Sequence, residues 1–150
     1  MKLRPRITQT TLPLPGVSPT ITSMSNKKPY DIAISVDSQF LDEQSVPAER
    51  RYAFSYTITI ANHGTVGARL LSRHWVITDS NGKVHEVSGD GVVGEQPWMC
   101  PGGGYEYTSG AVLETELGTM RGSYQLIADD GTEFDAMIPA FVLTTPRTLH

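Results

Sequence analysis

A glycine-rich stretch is the first feature whose residue types and spacing could do chemistry. Gly89, Gly91 and Gly94 form G-x-G-x-x-G, the pattern whose backbone N–H groups hold pyrophosphate in dinucleotide-binding folds. There the pattern opens a helix, whereas here Glu95–Trp98 follows, which has no helical period and contains a proline. The sequence therefore disfavours a dinucleotide site. It leaves open ordinary loop glycines or a smaller anion-binding loop, for which five arginines are candidate partners: Arg50, Arg51, Arg69, Arg73 and Arg121.

Three evenly spaced histidines are the next candidates, because imidazole is a common metal ligand. His63, His74 and His85 are eleven residues apart. If Asn81-Gly82 is a two-residue hairpin turn, Thr78 pairs with His85, and His74 lies about 13 Å further along the strand. Metal–ligand bonds of about 2 Å cannot span that gap. A change of register by one residue would instead place the two rings on opposite faces, so the sequence predicts no metal site.

The remaining polar residues do not form a catalytic set either. Asp79–Gly82 and Asp129–Gly131 resemble fragments of cation-binding loops, but both lack the bidentate glutamate and are better explained as hairpin turns. Cys100 is the only cysteine and has no cationic neighbour in the sequence to activate it. Glu114 and Glu116 share one face of an extended segment, as on a solvated surface. We therefore expect no catalytic residue, no cofactor and no enzymatic activity.

An aromatic segment after the glycines is the candidate partner surface. Trp98 and Met99 precede a run of glycines, and Tyr105 and Tyr107 follow at strand spacing. These residue types are enriched at the anchors of protein interfaces. Packing in the core is the competing explanation for the same residues.

The elements that must position these residues are strands. Tyr52–Ile60 alternates large apolar with small or polar side chains, and Tyr30–Val36 shows the same period of two. Asn81-Gly82 and Asp129–Gly131 are hairpin signals, and Pro139 predicts a bulge or a sheet edge. The pattern predicts an all-β, antiparallel sandwich of the immunoglobulin or fibronectin type III kind with about seven or eight strands, and a small barrel as the alternative.

Charge and composition divide the 150-residue chain in two. Residues 1–23 are rich in proline and threonine and carry three basic and no acidic side chains. They are predicted to be a disordered tail, with a native start at Met24 as one interpretation, or, alternatively, a basic recognition arm. Residues 24–150 hold nine basic and 16 acidic side chains, a net charge of −7, which disfavours nucleic acid as a partner. The single cysteine and the short apolar runs predict a cytoplasmic protein that does not enter membranes.

Six segments of the chain carry a family resemblance: Tyr52–Ile60, Leu70–Trp75, Gly89–Pro97, Tyr105–Gly110, Gly118–Tyr124 and Ile138–Phe141. In this order they resemble the ApaG family, and the resemblance extends over residues 24–150 as one domain. It implies a fibronectin type III-like sandwich, in agreement with the strand pattern.

For function, the resemblance implies a protein-interaction module without established enzymatic activity. Bacterial members are associated with cobalt resistance and magnesium efflux, and related domains occur in F-box proteins and in a DNA polymerase delta-interacting protein. We therefore expect a non-enzymatic module that binds a protein partner and is linked to magnesium and cobalt homeostasis. The alternative is a binder of phosphate, pyrophosphate or a nucleotide that uses the loop of Gly89, Gly91 and Gly94.

Overall fold

The computed structural model describes residues 6–10 and 27–146, and this part of the chain consists of β-strands joined by loops and two short 3-10 turns, Asp42–Gln44 and Pro47–Glu49. The nine strands are β1 (Arg6–Thr10), β2 (Ile32–Phe40), β3 (Tyr52–Asn62), β4 (Ala68–Asp79), β5 (Val84–Asp90), β6 (Trp98–Met99), β7 (Gly104–Leu113), β8 (Leu117–Ala128) and β9 (Glu133–Thr144).

The strands form two antiparallel sheets that enclose one core. The first sheet has the order β1-β7-β3-β2, and the second has the order β5-β4-β8-β9 with β6 beside β4. The all-β sandwich predicted from the sequence is confirmed. The described residues form nine strands where seven or eight were predicted. The additional ones are the two-residue β6 and β1, which lies in the segment predicted as a tail.

The structure describes only part of the segment that was predicted to be a tail. Arg6–Thr10 pairs antiparallel with β7, from Arg6 opposite Thr108 to Thr10 opposite Gly104. The other residues of the segment 1–23 lie outside the described residues, so their predicted disorder stays a prediction.

Alternation along the strands builds the core, as the period of two predicts. In β8, the even-numbered Met120, Tyr124 and Leu126 are buried while their neighbours are exposed or half-buried. From the other sheet, Phe54 and Ile58 of β3 pack against the same cluster. Burying a side chain of this size stabilises the fold by about 1.5–3 kcal/mol, so this alternation is the main determinant of which faces meet.

The predicted irregularity at Pro139 is present. The register between β8 and β9 shifts between Met120, which lies opposite Phe141, and Gly122, which lies opposite Ile138. Pro139 therefore lies at a bulge, and β9 is also the outer strand of its sheet, the two places where a residue without an N–H is tolerated.

The β4–β5 hairpin differs from the prediction by one residue. Thr78 pairs with Val84 and Ile77 with His85, because the turn has three residues, Ser80–Gly82, and ends with Gly82 at φ 88°. His74 and His85 therefore lie on opposite faces of the sheet. Within residues 6–10 and 27–146, no group of three or more His, Cys, Asp or Glu side chains is close enough to hold a metal ion.

Candidate functional site

The glycine loop is closed by its own hydrogen bonds. The N–H of Gly91 donates to the Leu71 carbonyl at 2.7 Å, and the N–H of Val92 donates to the Glu95 carbonyl at 2.8 Å. The N–H of Glu95 donates back to the Val92 carbonyl at 2.9 Å, which makes a two-residue turn. These N–H groups are used within the fold and do not point at an open pocket, unlike those of a phosphate loop.

Each glycine of the motif has a structural reason. A Cβ on Gly89 would lie 2.9 Å from the guanidinium of Arg73, and one on Gly91 would lie 2.3 Å from the Glu95 carbonyl oxygen. Gly94 (φ 84°) and Val93 (φ 43°) are the central residues of the turn, which needs positive φ at both, as type I′ turns do. The geometry thus explains the motif by packing and turn formation, without a ligand.

Of the five arginines proposed as anion partners, the structure brings two to the glycine loop. Arg73 donates to the carbonyl oxygens of Asp90 and Gly91 at 3.0 and 2.9 Å, and Arg69 donates to the Gln96 carbonyl at 2.7 Å. Both guanidinium groups thus brace backbone carbonyls. Arg121 is exposed in β8 opposite Val76, and the other two arginines line a pocket described below.

The predicted aromatic partner surface is largely interior, which corrects the prediction. Met99, Tyr105 and Tyr107 are only 0%, 2% and 2% exposed, because their side chains point between the sheets. Trp98 is half-buried, and its indole Nε1–H donates to Asp129 Oδ1 at 2.8 Å. Among the four, only Trp98 reaches the surface, and there it ties β6 to the β8–β9 turn.

The tyrosines instead form a hydroxyl pair in the core. The hydroxyls of Tyr107 and Tyr124 are 2.5 Å apart, and the ring of Trp75 packs edge-on against both Tyr124 and Tyr56. Burial raises the pKa of Tyr56, Tyr107 and Tyr124 above the usual value near 10. These hydroxyls therefore stay protonated and act as structural groups of the interior.

Side chains open to a ligand are also present at the opposite end of β5. There a pocket of about 390 Å³, here called the Arg50 pocket, is formed where three loops meet. Its lining residues are Glu49, Arg50, Arg51, Lys83, Val112, Leu113 and Glu114.

A tight loop before β3 supplies Arg50 and Arg51 to the Arg50 pocket. Pro47 starts the 3-10 turn, and Val46 and Arg51 then close the loop by exchanging N–H···O bonds of 2.8 and 3.2 Å. Closing this loop places Arg50 in the left-handed region, at φ 54° and ψ 49°. Glycine and asparagine adopt this conformation with little strain, whereas arginine does so rarely.

The charges of the Arg50 pocket are partly compensated within it. Lys83 Nζ lies 2.8 Å from Glu114 Oε2, and this hydrogen bond lowers the pKa of Glu114. Behind Glu114 lies the buried Asp79, whose Oδ2 accepts from the Glu114 N–H at 3.4 Å. Of the other charged lining residues, Arg50 and Arg51 are basic and Glu49 is acidic, so the lining as a whole is net positive.

Sequence reasoning named Arg50 and Arg51 but assigned them to the wrong place. They were expected near the glycines, although they precede β3 and the glycines lie at the end of β5 and in the loop after it. The signal that could have found the Arg50 pocket is the run Pro47-Ala48-Glu49-Arg50-Arg51, a tight turn that ends in adjacent arginines just before the clearest strand.

Comparison with known proteins places this architecture in a family. The family model described as ApaG domain matches residues 42–128. "Protein ApaG" of Thiobacillus denitrificans is 59% identical over 127 residues, and that of Xanthomonas euvesicatoria pv. vesicatoria is 57% identical over the same length; each match covers 85% of this chain and all of the relative. The chain belongs to the ApaG family.

Solved structures agree with this assignment. The putative ApaA protein from Bordetella pertussis is 48% identical and superposes with a TM-score of 0.79, covering 81% of this chain and 99% of that one. The structural genomics target SoR45 is 49% identical with a TM-score of 0.75, covering 79% and 90%. Among residues 27–146, the two helical turns of this ApaG-family chain are far too short to cross a membrane.

Proposed function

We propose that this ApaG-family protein is a non-enzymatic interaction module that binds a protein partner at the Arg50 pocket. The observation that carries the proposal is the conformation of Arg50, a residue with positive φ that lines an open pocket. Residues held in such backbone conformations cluster at binding sites, where the fold has to maintain the strain.

The lining of the pocket suggests the chemistry of the partner. Val112 is 46% exposed and offers an apolar wall, while Arg50 and Arg51 offer positive charge beside it. Arginine binds carboxylates through two parallel N–H···O bonds and is enriched at the anchors of interfaces. We expect a peptide segment in which an acidic side chain stands next to an apolar one.

A link to magnesium and cobalt homeostasis would, on this proposal, pass through the partner. The described residues show no cluster of three metal-ligating side chains, which favours an indirect role over direct binding of the ion.

Site-specific photo-crosslinking of the full chain would identify the partner. A photoreactive residue at Val112 is expected to capture one protein that is not captured from Met137, which is 73% exposed on β9. Capture of the same proteins from both positions would contradict docking at the Arg50 pocket.

Affinity of the purified partner then tests the role of Arg50. Arg50→Gly removes the guanidinium and relieves the positive φ, so we expect binding to weaken at least about tenfold, or 1.4 kcal/mol, without loss of stability. Arg121→Ala, which removes an exposed arginine of β8, is the matched control and should bind normally. Equal affinity of Arg50→Gly and the control would overturn the proposal.

A further inference from the structure

We propose that the outward edge of β7 is a strand-binding site, which this chain occupies with its own residues Arg6–Thr10. The proposal concerns a surface separate from the Arg50 pocket and stands independently of it. Three observations support it: the alternating direction of the backbone hydrogen-bonding groups along β7, the register of β1, and the charge of the segment that supplies β1.

Backbone N–H and C=O groups alternate in direction along β7, and this alternation shows which of them face away from β3. The N–H of Asn62 in β3 donates to the Gly103 carbonyl at 2.8 Å, so residues 103, 105, 107 and 109 turn their polar backbone groups toward β3. The backbone N–H and C=O groups of Gly104, Glu106 and Thr108 therefore point to the opposite side. An edge of this kind is a template for another strand.

The register of β1 matches this edge. Thr10 lies opposite Gly104, Thr8 opposite Glu106 and Arg6 opposite Thr108. Each outward-facing residue of this half of β7 thus has a partner that can exchange both N–H···O bonds with it. An occupant shifted by one residue would leave these groups unmatched.

The surface beside the edge indicates recognition through the backbone. Outward side chains of the sheet are polar here: the hydroxyls of Thr57 and Thr108 are 2.7 Å apart, and Thr59 donates to Glu106 Oε2 at 3.1 Å. The edge therefore suits an extended, threonine-rich segment, held mainly by main-chain hydrogen bonds.

Charge favours the segment that is found there. Residues 1–23 carry three basic and no acidic side chains, whereas residues 24–150 have a net charge of −7. The segments that resemble the ApaG family begin at Tyr52, and the family model matches residues 42–128. The occupant of the edge therefore comes from outside the shared domain, and it would compete with any partner strand that approaches β7.

Amide hydrogen exchange of the full chain tests whether the edge is occupied. Thr8→Pro removes an N–H that faces β7, so exchange at the amides of Gly104, Glu106 and Thr108 should become about tenfold faster or more. Gln9→Pro removes an N–H that faces away and is the matched control, with exchange close to wild type. Equal exchange in the wild type and Thr8→Pro would overturn the proposal.

A peptide in trans tests whether the edge binds a strand. A synthetic peptide of residues 4–12, added to Thr8→Pro, should restore slow exchange at the same three amides. The same peptide with Thr8→Pro should not. Protection by neither peptide, or equally by both, would contradict strand binding, and Arg50→Gly should leave this exchange unchanged whether or not the Arg50 pocket binds a partner.

Discussion

Arg73 shows how a motif typical of ligand loops can serve the fold itself. Its guanidinium lies close to Gly89 and donates to the carbonyl oxygens of Asp90, the last residue of β5, and of Gly91. The arginine supplies the positive charge that a phosphate site would need, but directs it at the backbone. The motif therefore serves packing, because the absence of a side chain at Gly89 leaves space for the Arg73 guanidinium.

Gly89→Ala tests this interpretation at the level of one methyl group. The added Cβ would lie 2.9 Å from the Arg73 guanidinium, which would have to move away from its carbonyl partners. We expect the free energy of unfolding to fall by about 1–3 kcal/mol, measured by urea denaturation. Gly110→Ala, at a half-buried glycine of β7, is a control for loss of glycine from a strand.

The Tyr107–Tyr124 hydroxyl pair predicts non-additive mutations. Tyr124→Phe or Tyr107→Phe alone leaves one buried hydroxyl without its partner and should destabilise the protein by about 1–3 kcal/mol. The double variant removes both hydroxyls and should cost less than the sum of the single variants. Simple additivity in this double-mutant cycle would show that the two hydroxyls do not interact.

Residue identity predicts the strands better than the roles of single side chains. The alternation of Tyr52–Ile60 was sufficient to predict β3, because large apolar and small residues change places at every position. The inward direction of Tyr105 and Tyr107 could not be read in the same way, since aromatic residues at strand spacing suit a core and an interface equally. Only the pairing partners of β7 decide which face they occupy.

At the scale of elements, β6 depends on contacts that reach beyond its own ladder. It has two residues, pairs with Ala68 and Arg69, and is tied to the β8–β9 turn through Trp98 and Asp129. Gly67 leaves space for this contact, because a Cβ there would lie 2.5 Å from Asp129 Oδ2 and 2.8 Å from Trp98 Cζ2. A side-chain bond thus adds to the backbone pairing that holds this very short strand.

Trp98→Phe should loosen this connection without removing the aromatic packing. Loss of the Nε1–H···Oδ1 bond is expected to lower the free energy of unfolding by about 0.5–1.5 kcal/mol. In an Asp129→Ala background the same substitution should have a smaller effect, measured by thermal or urea unfolding. An equal effect in both backgrounds would place the role of Trp98 elsewhere.

The β4–β5 hairpin illustrates where element-scale prediction ends. Asn81-Gly82 correctly indicated a turn, but the pair alone does not say whether the loop has two residues or three. The Asp79 N–H bonds to the Lys83 carbonyl at 2.9 Å, so Ser80 joins the loop and the register moves by one. The strain at Arg50 was equally out of reach, since it follows from closing a loop between Val46 and Arg51.

At the scale of the whole molecule, the buried tyrosines predict loss of stability at alkaline pH. Unfolded tyrosines ionise near pH 10, whereas burial keeps Tyr56, Tyr107 and Tyr124 protonated in the native state. The stabilisation is therefore complete below pH 10 and falls above it, by about 1.4 kcal/mol per pH unit for each tyrosine. Urea denaturation between pH 8 and pH 11 (roughly the ionisation range) measures this slope.

Tyr124→Phe distinguishes this effect from general alkaline damage. The variant should be less stable at every pH, but its slope above pH 10 should be shallower by the contribution of about one proton. An unchanged slope would mean that Tyr124 ionises as readily in the folded chain as in the unfolded chain.

The same burial makes the ultraviolet absorbance of the tyrosines sensitive to unfolding. Tyrosinate absorbs light at longer wavelengths than neutral tyrosine, and burial raises the pKa of four tyrosines, Tyr56, Tyr105, Tyr107 and Tyr124. In an alkaline titration, the absorbance change of these tyrosines should occur over the same pH range as the unfolding of the β-sandwich. A simple ultraviolet spectrum would then report unfolding without any added dye or label.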